Sequence, residues 1–231
     1  MELTDALRAS PAARAFTDTP VSDETVAELL DVARFAPSGG NRQPWRVALV
    51  RDLGLRRQLA DLCSPVWSEY LTISSTGATP FSVAADATPD PDPATIVPAA
   101  NALLDDIESA PAVLVVAADL SNVAMMDKDL DRPPITGGAS VYPFVWSLLL
   151  AARGIGLAGV MTTFIARAER QAAQVLSLPP DHALASMVFL GEPTSRPTRL
   201  RRNPVDSFTT VDRFDGPPFG SPPFDDHPNS A

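Results

Sequence analysis

The chain has 231 residues, 45% of them apolar, and a mean hydropathy of +0.04. That composition belongs to a globular protein with a normal core, built as one large domain or two small ones. A net charge of −10, from 18 basic against 28 acidic residues, excludes general nucleic-acid binding, which needs a phosphate-neutralising surface.

Residues 22–36 carry Val26, Leu29, Leu30 and Ala33 at the spacing of one helix face. Ser22 caps this helix, Asp23 and Glu24 suit its positive end, and Pro37 stops it. "WRVALV" at 45–50 reads as a strand. Residues 54–73 read as helical with a break at "CSP", where Ser64 caps a second piece and Pro65 fits its first turn. From 74 to 98 the pattern dissolves into Pro, Asp, Ala and Thr, and a loop of that length is either functional or disordered. Helix returns over 99–109. "AVLVVAA" at 112–118 is a continuous apolar run, the mark of a strand buried on both faces.

Asp119, Asp127, Asp129 and Asp131 lack the spacing of a calcium loop, so 119–137 reads as a solvated connection. Residues 140–153 are apolar nearly all round, as in a helix buried at the centre of a fold or an interface, and Pro143 fits its first turn. A turn and short strand follow over 154–164, then an amphipathic helix over 166–177 and a buried strand over 183–191. Arg196, Arg199, Arg201 and Arg202 crowd the next stretch, and the end of the chain is too Pro-rich to build a core element. Strands separated by helical stretches make this an α/β or α+β fold.

Conventional catalytic clusters are missing. No phosphate-loop, nucleophile-elbow or H-E-x-x-H pattern occurs. "GIGLAG" follows a helix and precedes a strand, the reverse of the dinucleotide-binding context. Cys63 is the one cysteine and reads as a small buried apolar residue. His182 and His227 are far apart in sequence, which gives a triad or zinc centre no support. The first residues lack the basic-then-apolar pattern of a signal segment, and the longest apolar run is about half the roughly 20 residues of a membrane span. The expectation is a cytoplasmic protein with no membrane partner.

What remains suits an anionic ligand with polar edges. "PSGGNRQ" at 37–43 offers Ser38, Asn41, Arg42 and backbone donors at Gly39 and Gly40. Arg14 stands in an otherwise uncharged stretch, and the arginines near 201 suit bidentate phosphate contacts. Each has a plainer reading: a helix-to-strand connection, a surface arginine, a solvated charge run. With no acid–base pair beside them, together they favour a cofactor that carries its own chemistry.

In order and spacing, "RAFTDTPV" (14–21), "APSGGNRQPWRVALVRD" (36–52), "GIGLAGVMTTF" (154–164), "LSLPPDHALASMVFLGEP" (176–193) and "LRRNPVD" (200–206) resemble the FMN-dependent nitroreductase family over about residues 1–212. The resemblance implies an α+β sandwich, a mixed central sheet flanked by helices, in an intertwined homodimer with FMN sites at the interface. Residues 1–214 would form the FMN-binding domain, with 74–98 as a lid loop, and 215–231 a Pro-rich extension. Helix 140–153 would be the central interface helix.

By the same resemblance Arg14 contacts the flavin phosphate or ribityl chain, and Ser38, Gly39 and Asn41 line the ribityl and pyrimidine edge. Asn41 and Arg42 help to stabilise negative charge on the ring. Met161, Thr162 and Thr163 lie under the ring, with the Thr163 N–H toward N5, and Arg201 or Arg202 binds the phosphate. No side chain is implied as catalytic. The implied reaction is ping-pong: NADH or NADPH donates two electrons through FMN to a nitroaromatic or quinone acceptor. Related outcomes are a non-catalytic FMN-storing protein, dehalogenation and dimethylbenzimidazole synthesis. The chain departs from the family where "SPAAR" (10–14) stands for "RRS-x-R", and where Thr163-Phe164 replaces an acidic-Gly pair, so that Phe164 narrows the ring segment.

Overall fold

A computed structural model describes residues 2–84, 86–195 and 200–220. The chain divides into two compact units, Met1–Arg196 and Pro197–Ala231. In the first, α1 (Leu3–Arg8) and α2 (Asp23–Ala33) precede β1 (Trp45–Leu49) and a long α3 (Leu53–Ser75). A short α4 (Ala102–Asp105) leads into β2 (Ala112–Asp119), and α5 (Tyr142–Gly154) into β3 (Ala158–Thr162). Then come α6 (Phe164–Arg167), α7 (Glu169–Val175) and β4 (His182–Gly191).

The strands form one sheet in the order β1-β2-β4-β3. The α+β class holds, but the sheet, expected to be mixed, is antiparallel at every pairing among the described strands. The connection between β3 and β4 shows why. β3 stops at Thr162 opposite Met187, and β4 begins at His182, beyond that same end. The chain turns back through α6 and α7 instead of crossing to the far end, as a parallel pair requires.

β2 is buried along its whole length, as its unbroken apolar run predicts. Ala112, Leu114, Val116 and Ala118 face a core shared with α2 and α5. Val113, Val115 and Ala117 face a second core shared with α3, α4, α6 and α7. The result is a sheet between two helical layers. In α2, Ser22 Oγ accepts from Thr25 N at 3.1 Å, and Val26, Leu29 and Ala33 are buried as the stripe predicts.

Three local expectations are corrected. α3 runs through Pro65 without a break. Pro65 and Asp61, the residue whose carbonyl loses its N–H partner, are both exposed, where water can take that role. The buried stripe of Leu59, Cys63, Val66 and Ile73 continues across the proline and holds the helix. The helix expected over 166–177 is two pieces that meet at Ala168.

The third correction concerns the loop read as solvated. Asp129 and Asp131 are exposed, but Asp119 and Asp127 are buried. Asp127 accepts from Thr136 Oγ1 at 2.6 Å, Ile135 N at 2.8 Å and Arg132 Nη1 at 2.6 Å. The Thr136 hydroxyl first, then the Ile135 amide, hold its carboxyl well below the usual range. A depressed carboxylate contributes stability above its unfolded value of about 3.9, and that contribution is lost as pH falls below it. Asp127→Asn is therefore expected to melt below wild type at neutral pH, with the gap closing as pH drops under about 4. Thermal melts across pH check this; a gap that does not change with pH removes the carboxylate charge from the explanation.

In the second unit, Thr210 bridges Pro218 and Val211 N donates to Pro217 O at 2.9 Å, closing a turn that leaves Phe214 fully exposed. Arg196, Arg199 and His227 lie outside the described residues.

Candidate functional site

The segment after α1 is pinned along the β3 edge of the sheet. Ala13 N donates to Gly159 O at 3.0 Å, Phe16 bridges Pro193, and Thr17 N donates to Glu192 O at 2.8 Å. Arg14 lies between these anchors, exposed and in no ion pair among the described residues. It lines a cavity of about 530 Å³ together with Met161, Thr162, Thr163 and Phe164, where β3 passes into α6.

Trp67 and Tyr70, stacked at 5.7 Å on α3, form an aromatic wall, and Phe164 meets Trp67 edge-on at 5.6 Å. Asn101 also lines the cavity. Its Oδ1 caps α4 by accepting from Leu103 N at 3.1 Å, while its Nδ2 makes no hydrogen bond among the described residues. Thr162 Oγ1 is buried without a partner, and the Thr163 N–H enters no turn or cap hydrogen bond among the described residues. An unpaired buried hydroxyl costs free energy, and Thr162 Oγ1 is one of the few such groups among the described residues.

The loop 37–44 is a separate wall. Gly40, Asn41 and Gln43 all have positive φ, of 59°, 53° and 49°. Asn tolerates that region; Gln43 does so under constraint, through its N–H donated to Ser38 Oγ at 3.0 Å. Gly39 N donates to Ser140 Oγ at 3.0 Å, just before α5, and Trp45 stacks on Phe144 of α5 at 4.8 Å. Arg42 folds back to donate to Gly39 O at 3.1 Å, so its guanidinium braces its own loop.

Of the sequence-predicted residues, Arg14, Met161, Thr162 and Thr163 converge on one cavity within the chain. Ser38, Gly39, Asn41 and Arg42 do not join them. They precede β1, and Thr162, Met187, Val115 and Ala48 pair in a row that spans the sheet from β3 to β1. Three strand spacings, roughly 14 Å, lie between the two edges. Arg201 and Arg202 belong to the second unit, where they line a surface with Leu200 and Asn203.

Trp67, Tyr70 and Asn101 escaped sequence reasoning. Asn101 has a local signal, because Asn101 N donates to Asp105 Oδ2 at 2.8 Å while Asn101 caps the helix. An Asn at a helix start with an acid four residues on is readable. Cys63 is buried, with its thiol pushed up to about 12, which leaves it no nucleophilic role. Among the described residues no cluster of His, Cys, Asp or Glu could hold a metal, and no helix is long and apolar enough to cross a membrane.

Comparison with known proteins gives the following likenesses. Residues 8–192 match the nitroreductase family. A protein of Archaeoglobus fulgidus assigned as an NADH dehydrogenase/NAD(P)H nitroreductase is 25% identical over 213 residues, covering 87% of this chain and 86% of that protein. A 5,6-dimethylbenzimidazole synthase of Rhodospirillum rubrum is 54% identical, but only over 44 residues, 19% of this chain and 20% of its own. Among solved structures, the NADPH:FMN oxidoreductase of Vibrio harveyi superposes with a TM-score of 0.65 at 20% identity, covering 91% of this chain and 77% of its own; that likeness is one of fold.

Proposed function

Because this chain belongs to the nitroreductase family, we propose that it is an FMN-dependent NAD(P)H oxidoreductase reducing nitroaromatic or quinone-type acceptors by a ping-pong, two-electron mechanism in the cytoplasm. The observation that carries this reading is the single cavity that gathers Arg14, Asn101 and Met161–Phe164 beneath an aromatic wall. The spare donors fit a flavin: Asn101 Nδ2 suits a pyrimidine carbonyl, Thr162 Oγ1 lacks a partner, and Arg14 lacks a counter-charge.

The chemistry that FMN supplies when bound is a two-electron relay between nicotinamide and acceptor, each visiting in turn. The chain's own work is to bind, orient and exclude water. Arg14 would offer its guanidinium to the phosphate or ribityl chain, and the Thr163 N–H would offer a fixed donor toward the ring. Trp67, Tyr70 and Phe164 supply flat apolar faces on which planar acceptors stack. Arg167 ties the 74–98 loop beside this wall, lying 4.1 Å over Phe81 and 3.0 Å from Asp90 Oδ2, which suits that loop to serve as a lid.

The separation of the two walls supports a homodimer. Gly39 is held at the start of α5, while the Arg14 side lies against its far half, roughly 16 Å from Tyr142 to Arg153 at 1.5 Å per residue. Tyr142 and Trp146 leave α5 with exposed aromatic area, and Val32 and Phe35 stand exposed at the end of the neighbouring α2. Antiparallel packing of two copies along α5 would bring Ser38, Gly39 and Asn41 of one protomer to the Arg14 cavity of the other.

The test is direct. Purified protein is expected to carry the yellow flavin absorption, or to take it up from added FMN, and then to oxidise NADH or NADPH with a quinone or nitroaromatic present. Colourless protein that binds no FMN ends this reading. The local likeness to the Rhodospirillum rubrum enzyme favours a second one, FMN consumption toward dimethylbenzimidazole; loss of FMN without acceptor reduction would select it.

A further inference from the structure

The aromatic wall of the cavity carries two polar handles, and one of them is spent. Trp67 Nε1 donates to Ala100 O at 2.9 Å. The Tyr70 hydroxyl makes no hydrogen bond among the described residues, although Tyr70 lines the cavity. Its ring is clamped. Trp67 stacks on it at 5.7 Å and 9°, Phe164 meets it edge-on at 6.3 Å and 69°, and Phe81 tilts against it at 6.3 Å and 55°. Phe81 is itself held at a φ of 53°, with the Arg167 guanidinium 4.1 Å over its ring. A bulky residue in that region is strained and persists only where its surroundings over-determine it. Tyr70 nonetheless stays 37% exposed. A ring fixed in this way cannot swing aside, so its hydroxyl depends on whatever fills the space in front of it. The flavin reading draws its donors from Arg14, Asn101, Thr162 and Thr163, and leaves this one on α3 unused.

We infer that Tyr70 is a specificity-determining residue whose hydroxyl donates a hydrogen bond to an oxygen of the acceptor, a quinone carbonyl or a nitro group. The inference rests on the FMN reading, because it needs an acceptor to enter this cavity. While the cavity is open, water can satisfy the hydroxyl. A planar acceptor that stacks against the wall displaces that water. An acceptor with an oxygen at its edge replaces the lost bond; one without leaves the hydroxyl unpaired, which costs free energy. Stacking accepts any flat ring, so the fixed hydroxyl is what sorts planar acceptors by the atoms at their edge. The bond also favours reduction. An acceptor oxygen gains negative charge as electrons arrive, so a donor already in place binds it more strongly in the transition state than in the ground state. No proton need leave Tyr70 for this.

Tyr70→Phe removes the hydroxyl and keeps the clamped ring. The test compares kcat/KM of the FMN-loaded protein for a benzoquinone with that for N-methylphenazinium, a planar two-electron acceptor that has no oxygen. In Y70F the quinone-to-phenazinium ratio is expected to fall by roughly tenfold to a hundredfold. A loss shared equally by the two acceptors leaves the ratio unchanged and overturns the inference, because a merely structural role for Tyr70 would act on both. Circular dichroism and a thermal melt show that Y70F folds. Infrared difference spectra of isotope-labelled quinone on the oxidised, FMN-loaded protein give a second readout, independent of turnover. The carbonyl stretch is expected to lie lower on wild type than on Y70F, as a hydrogen bond to the oxygen requires; the same stretch on both proteins overturns the inference whatever the rates. Wild type that takes up no FMN ends the flavin reading and the role of Tyr70 with it. Wild type that turns over while Y70F keeps the same ratio overturns the role of Tyr70 alone.

Discussion

Replacing Arg14 with Ala is expected to weaken FMN binding by roughly tenfold to a hundredfold, the equivalent of one lost charge-assisted hydrogen bond of about 1.5–3 kcal/mol. Stability should change by no more than about 0.5 kcal/mol, because the side chain is exposed and makes no ion pair among the described residues. The backbone on both sides is held by Ala13 and Phe16, so truncating the side chain leaves the segment in place. Arg14 lines the cavity with Met161–Phe164, and its loss is expected to weaken riboflavin as well as FMN. Flavin fluorescence titration with a parallel melt checks this. Unchanged affinity for both flavins removes Arg14 from the site; an unfolded variant would mean that its role is structural.

The parts of the fold fixed by local chemistry were legible in the chain. Ser22 before the Val26–Ala33 stripe marked α2, and the unbroken run at 112–118 marked a central strand. Arg14 and the "VMTTF" stretch were legible through their resemblance to a family, and the structure joins them in one cavity. What escaped was decided at long range. Trp67 meets Phe164, and Asn101 lines the same cavity, across large sequence separations that no periodicity announces. Pro65 read as a stop because the rule for proline is local, whereas the packing that carries α3 past it is not. Asp127 read as solvated because its partners at 135 and 136 become neighbours only when the loop closes. The "PSGGNRQ" loop was read as a ligand wall, but its sequence gives no sign that it leads into the edge strand opposite the Arg14 cavity of its own chain. That depends on which strands lie between β1 and β3.

Gly159→Ala is expected to lower the melting temperature by roughly 2–12 °C, taking about 1–3 kcal/mol for overpacking and 2–4 °C per kcal/mol at this chain length. A methyl there would run into the Phe189 carbonyl, and would lie 2.6 Å from Leu190 Cδ2 and 2.9 Å from Leu149 Cδ2. The carbonyl belongs to the neighbouring strand, so relief requires β3 to move away from β4, where Gly159 pairs with Leu190. Backbone that cannot rotate aside places the effect in the upper part of that range. The displacement would reach the site too, because Gly159 O accepts from Ala13 N beside Arg14, and Met161 and Thr162 follow on the same strand with Thr163 directly after it. Flavin affinity should therefore fall together with stability. Gly154→Ala supplies the contrast. Its added methyl meets nothing within 4 Å, at the end of α5, so it should be neutral or stabilise by up to about 1 kcal/mol through helix propensity and a less flexible unfolded chain. Thermal melts of both variants decide the matter. A G159A protein that melts within about 1 °C of wild type would show that β3 and β4 do not approach as closely as the packing of Leu149 and Leu190 over Gly159 requires.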